Sequence, residues 1–131
     1  MSISVAYWCV LVAAVLPYVW VGLAKAGGRG YDNHDPRGWM ARQAEPRRLR
    51  ANAAQLNAFE ALPAFVAGVA LAALAEVDET RVALLAIVFV AARVLHGIFY
   101  IADLASLRSL AWLVGLACSL GLIAQAALAS A

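Results

Sequence analysis

Apolar residues fall into four long blocks separated by short polar stretches. Ile3 to Ala24 is uncharged, and Ala51 to Ala75 carries Glu60 as its only charge. Val82 to Ala102 carries only Arg93 besides His96, and Ser109 to Ala131 is again uncharged. Each block is about 20 to 25 residues long, which is what a helix rising ~1.5 Å per residue needs to cross ~30 Å of hydrocarbon. The pattern predicts an all-α integral membrane four-helix bundle, with helices near 3–24, 51–75, 82–102 and 109–131 in a single domain, residues 1–131. The first block lacks a basic start and has no small-x-small cleavage site before Lys25, so it is expected to be a retained span rather than a signal peptide.

Composition agrees with the bilayer: 65% of residues are hydrophobic and only 14% are charged. With 131 residues there is room for one domain and no soluble appendage, so a site must be built from spans and short loops or shared between copies. The net charge of +2 matters less than its placement. Lys25, Arg29, Arg37, Arg42, Arg47, Arg48 and Arg50 crowd the first loop, residues 25–50, and Arg108 follows in the third connection, 103–108. The second loop is acidic, with Glu76, Asp78 and Glu79 against Arg81. By the positive-inside rule the first and third loops are cytoplasmic and both termini lie outside, as suits a bacterial inner membrane.

Within the first loop, Asp35 followed by Pro36 makes an N-cap and first-turn pair, which predicts a short interfacial helix near Pro36 to Gln43, with Trp39 and Met40 at the lipid interface. Arg47, Arg48 and Arg50 form a basic collar on the second span, read equally well as topogenic charge attracted to anionic headgroups. Cys9 and Cys118 sit deep in apolar spans without a CxxC or a nearby His, which favours packing over metal binding. No phosphate loop, zinc motif or Ser-His-Asp set is present, and nothing suggests a nucleic-acid partner.

The chemistry falls to the second and third spans. Helical spacing puts Arg50, Ala53, Asn57 and Glu60 on one stripe and Arg93, His96, Tyr100 and Asp103 on another. Antiparallel packing brings Glu60 and Arg93 to similar depth, and an unpaired charge there costs several kcal/mol, so an ion pair between them is expected. One polar tie would suffice to hold two helices together. Gln55, Asn57, Glu60, Arg93, His96, Tyr100 and Arg108 exceed that need and suit a polar, charged ligand entering from the cytoplasm. Pro63 interrupts the second span just beyond Glu60 and could open a cleft there. Ala111, Gly115, Ala117 and Gly121 permit close approach by the last span.

The stretch RANAAQLNAFEALPAF from Arg50, together with ARVLHGIFYIADLASLRSLAW from Ala92 to Trp112, resembles the membrane-associated proteins in eicosanoid and glutathione metabolism, the MAPEG family. YDNHDPRG, Tyr31 to Gly38, is similar to the first loop of its uncharacterised bacterial branch. NxxE followed by RxxHxxxY and then RS is a specific combination, and the resemblance covers essentially the whole chain. It implies a homotrimer of four-helix protomers with sites between protomers, glutathione as co-substrate, and a lipophilic substrate arriving from the surrounding membrane lipids. By the resemblance, Asn57 and Glu60 hold the glutathione backbone and amino group, Arg93 supports the carboxylate, and His96 and Tyr100 line the ligand. Arg108 and Ser109 match an arginine and serine at the start of the last helix, where the arginine stabilises the thiolate.

This implies a membrane-bound glutathione-dependent transferase or peroxidase acting on lipophilic electrophiles. One position departs from the family pattern. Four residues before Asn57, where glutathione-using members carry an arginine, this chain has Ala53, with Arg50 one turn away as a possible substitute. The other reading is a non-enzymatic protein of the same fold that binds a lipid or acts as a scaffold. A four-span transporter with Glu60 as proton carrier fits less well, because the carboxylate lies near one side of the membrane.

Overall fold

The computed structural model describes residues 1–131 and contains five helices and no strand: α1 (Ser4–Lys25), α2 (Pro36–Ala41), α3 (Pro46–Leu74), α4 (Glu79–Ile101) and α5 (Ala105–Ala129). Four of them are long and apolar enough to cross a membrane. Large apolar side chains such as Trp8, Leu11, Leu110 and Leu113 cover the outside, the inversion expected when lipid replaces water as solvent.

The helix boundaries depart from hydropathy where caps extend a helix beyond its apolar block. Glu45 caps α3 by accepting from the Arg47 and Arg48 amides, and Pro46 occupies the first turn, so the basic collar belongs to the helix rather than to the loop. α4 begins at Glu79 because the Asp78 carboxylate accepts from the Arg81 amide. α5 begins at Ala105, which leaves only residues 102–104 as a connection and moves Arg108 out of the expected loop 103–108 into the helix that already held Ser109. A short helix forms over Pro36–Ala41 with Asp35 accepting from the Gly38 amide, but Trp39 and Met40 are buried against Ala24 of α1 and Ala51 of α3 rather than set at a lipid interface, because the first loop folds back onto those helix ends. Both α1 and α3 run through their prolines, Pro17 and Pro63, without interruption.

Side-chain ties establish the up-down order. The Arg48 guanidinium donates to the Ala24 carbonyl at 2.7 Å and the Ala26 carbonyl at 3.2 Å, joining the start of α3 to the end of α1. Arg50 donates to the Ile101 carbonyl at 3.2 Å, joining it to the end of α4. At the opposite end the Met1 amine reaches Thr80 at 2.8 Å, and the Ile3 amide reaches the Glu79 carboxylate at 3.2 Å. The first loop and the 102–104 corner therefore share one end of the bundle.

The central core draws on all four spans, through Ala6 and Ala13, Phe65 and Val69, Ala86 and Phe89, and Cys118 and Leu122. Cys118 is buried there and Cys9 packs beside it, as apolar residues do. Phe65 and Phe89 stack with ring centroids 3.8 Å apart, binding α3 to α4. At Gly97 the Trp20 ring lies where a β-carbon would stand, 2.2 Å from it, so α1 and α4 approach closely only because position 97 is glycine. Gly115 admits Arg93 in the same way, whereas Ala117 faces outward.

Candidate functional site

A cleft of about 210 Å³ opens between α3, α4 and α5. Asn57, Glu60, Ala61 and Ala64 line it from α3, Phe89 and Arg93 from α4, and Trp112, Leu116 and Ser119 from α5. Its small walls on α3 follow the Asn57–Glu60 turn on the same helix face. Phe89, stacked on Phe65, gives it an apolar floor.

Arg93 is 3% exposed and so requires a partner within the protein. That partner is Asn57, whose side-chain carbonyl accepts from the guanidinium at 2.7 Å. The Asn57 amide in turn donates to the Glu60 carboxylate at 3.2 Å. This corrects the expected direct ion pair: Glu60 and Arg93 do not meet within 4.0 Å, and the two ion pairs in the chain are Arg42–Asp35 and Arg50–Asp103. The physical reason is that Asn57, one turn from Glu60, can both accept from a cation and donate to an anion, so it fills the space between the charges. The arrangement leaves the Glu60 side chain exposed at the cleft and the buried Arg93 Nε without a partner.

One turn beyond Arg93 lies a second group. His96 is buried and meets Tyr100 edge to face, with centroids 5.6 Å apart. The Arg108 guanidinium lies 4.4 Å from the centre of the Tyr100 ring, within cation–π range. Ser109 is exposed beside it on the first turns of α5. The corner brings Arg108 back onto α4, but His96, Tyr100, Arg108 and Ser109 do not line the cleft itself.

Two residues expected in the cluster lie elsewhere. Arg50 is committed to the Ile101 carbonyl and to Asp103, whose carboxylate is 3.7 Å away, because those acceptors close the end of α4 directly beside the start of α3. Gln55, two residues before Asn57, points off the Asn57 face into another groove of about 620 Å³ between α1, α2 and α3. Lys25, Arg37 and Asn52 share that groove, with Val21, Met40, Leu49, Leu56 and Phe59 as its apolar wall and no carboxylate. Asn52 was legible as the residue one turn before Gln55. The place of Lys25 and Arg37 depends on how the first loop folds over α3, which no periodicity reports. Ser119 also went unnoticed in the sequence, since its hydroxyl, donating to the Gly115 carbonyl at 3.3 Å, is an ordinary feature of an apolar span.

A family model described as the MAPEG family matches residues 5–128. No curated protein and no solved structure matches the chain.

Proposed function

This chain belongs to the MAPEG family, and on that premise we propose that it is a membrane-bound glutathione-dependent transferase or peroxidase acting on lipophilic electrophiles. The family places it among integral membrane proteins of glutathione and eicosanoid metabolism. The observation that supports the activity is the Arg93–Asn57–Glu60 relay, which ends in an exposed carboxylate and leaves a buried guanidinium nitrogen unpaired beside the cleft. A relay that only tied helices together would have closed on itself.

The residues fit glutathione. Its amino group calls for a carboxylate, which Glu60 offers, and its amide and carboxylate oxygens call for donors, which Asn57 and Arg93 offer. Glutathione supplies the nucleophilic thiol that adds to an electrophile, or reduces a hydroperoxide to an alcohol with formation of oxidised glutathione. Arg108 is the cation next to the ring of Tyr100. A guanidinium within hydrogen-bond reach favours the thiolate over the thiol, whose free pKa is about 8.5, and the Ser109 hydroxyl adds a donor. His96 and Tyr100, edge to face on α4, follow Arg93 along the helix toward Arg108. The lipophilic substrate partitions from the lipid.

The size of the cleft bears on assembly. A volume of about 210 Å³ falls below the ~300 Å³ at which small-molecule sites begin, so one copy holds only part of a tripeptide. The basic groove with Lys25, Arg37, Asn52 and Gln55 offers complementary donors on a different face of α3. We read the two as halves of sites completed between protomers of a homotrimer. In the same reading the chain lies in a bacterial inner membrane with both termini outside, and the first loop and the 102–104 corner are cytoplasmic, which puts the glutathione entrance on the side where the peptide is made.

Ala53 favours a second reading. It removes the arginine found in glutathione-using relatives, and Arg50 cannot replace it while held at Ile101 and Asp103. A non-enzymatic protein that binds a lipid or acts as a scaffold would tolerate that loss. Calorimetric titration of the detergent-purified protein with glutathione, followed by thiolate absorbance near 240 nm, roughly where a thiolate of shifted pKa is monitored, decides between them. Saturable binding with a thiolate band supports the enzyme; no binding at millimolar ligand supports the scaffold.

A further inference from the structure

The end of α4 is an unusual helix stop. The Leu104 amide donates to the Phe99 carbonyl at 2.9 Å, and the Asp103 amide donates to the Tyr100 carbonyl at 3.2 Å. These are the two hydrogen bonds of a Schellman motif, which normally places glycine at the left-handed position. Here that position is Asp103, with φ 63°. The end of α3 repeats the motif, with the Val77 amide on the Ala72 carbonyl at 3.0 Å and Glu76 at φ 53°. Both stops therefore accept the cost of a side chain at positive φ.

The two differ in what the side chain does. Glu76 is exposed and enters neither ion pair of the chain. Asp103 holds the Arg50 guanidinium at 3.7 Å, while the same guanidinium donates through Nε to the Ile101 carbonyl at 3.2 Å. One planar fork thus hydrogen-bonds the backbone just before the corner and stands at ion-pair distance from the exposed carboxylate at its centre, a geometry a lysine cannot make from a single ammonium. α5 has no side-chain cap at Leu104, so its start is tied to α4 by the backbone bonds of the corner and by packing alone. Its first turn carries the Arg108 amide to the Leu104 carbonyl at 2.9 Å, and the Arg108 guanidinium comes to rest over Tyr100. Three residues separate the end of α4 from α5, so the backbone at Asp103 sets the direction in which the first turn of α5, and with it Arg108, leaves the corner.

We infer that Arg50 and Asp103 are a positioning pair, which sets the α4–α5 corner from the start of α3 and so holds Arg108 against Tyr100. Its consequence for chemistry rests on the thiolate role proposed for Arg108, but the positional effect does not. It also assigns a use to an arginine that the sequence had placed on the ligand stripe and that the structure turns away from the cleft.

The telling variant is Asp103→Gly, because glycine suits the left-handed position and only the carboxylate is lost. The protein is labelled with fluorotyrosine, the Tyr100 fluorine resonance is assigned with Tyr100→Phe, and the effect of losing the guanidinium is calibrated with Arg108→Leu. Asp103→Gly is expected to keep or raise the unfolding midpoint in detergent by a few degrees while moving the Tyr100 resonance toward its Arg108→Leu value. Arg50→Lys should move it the same way, with charge retained and the fork lost. If the Tyr100 resonance in Asp103→Gly stays at its wild-type position, or moves away from the Arg108→Leu value, the pair does not position Arg108. Where the wild type forms a glutathione thiolate, Asp103→Gly should at least halve that band at neutral pH. A wild type without the band would sink the proposed catalysis and leave the fluorine result to decide the positioning.

Discussion

Arg93 donates to the side-chain carbonyl of Asn57 at 2.7 Å, so a neutral amide rather than a carboxylate is the direct partner of the most deeply buried charge in the bundle. Asn57 then hands the contact to Glu60. A carboxylate in direct contact with Arg93 would have its oxygens occupied by the guanidinium. Held at one remove, it stays exposed at the cleft.

Asn57→Ala should therefore be the damaging substitution in the relay. It deletes the only side-chain acceptor of Arg93 and leaves a buried guanidinium bare. Polar ties between membrane helices are worth about 0.6 to 1.7 kcal/mol, and the stranded charge adds to this, so a loss of about 2 kcal/mol is expected. Thermal unfolding in detergent measures it, and Asn57→Asp, which keeps an acceptor for Arg93 but sets a carboxylate against Glu60, should recover only part of the loss.

Glu60→Gln should behave differently. The side chain is exposed, and Arg93 keeps its Asn57 contact, so the unfolding midpoint should stay near that of the wild type. What should fall is binding of a ligand with a free amino group, by roughly tenfold, the equivalent of about 1.4 kcal/mol for a charge-assisted hydrogen bond. Calorimetry with glutathione and with its N-acetylated form separates the two effects: the variant should no longer discriminate between them.

Arg108→Ala should leave the fold intact, since the side chain is half-exposed and rests on a ring rather than in the core. Removing a cation disfavours an anion, so the pKa of a bound thiol should rise, from below about 8.5 in the wild type to that value or higher. Absorbance followed against pH should then show the thiolate appearing at higher pH in the variant. Superimposable titrations would remove Arg108 from the mechanism.

Gly97→Ala tests the close approach of α1 to α4 beside His96. A β-carbon at position 97 would stand 2.2 Å from the Trp20 ring, which is itself buried. Overpacking of this kind costs about 1 to 3 kcal/mol. Trp20→Leu in the same background should return part of that stability, and a double-mutant cycle of unfolding midpoints would show the coupling.

Hydropathy alone determined the class, the number of spans and their approximate limits, because a bilayer demands about 20 apolar residues per helix whatever the neighbours are. Helical spacing also placed Asn57, Glu60, Arg93, His96 and Tyr100 on faces that meet, since a periodicity of 3.6 residues is a property of one chain segment. Tertiary structure decided what those residues touch. Whether Arg93 meets Glu60 or Asn57 depends on a few ångströms of offset between α3 and α4, set by the Phe65–Phe89 stack and the small walls around it. The removal of Arg50 and Gln55 from the cleft depends likewise on the α4 end and the α1–α2 groove beside them. The α4 stop was hidden for a related reason: an aspartate fills the position that glycine usually marks, and the arginine bound to it lies 53 residues earlier in the chain. Contacts between residues that distant in sequence leave no local pattern, so only the packed bundle shows them.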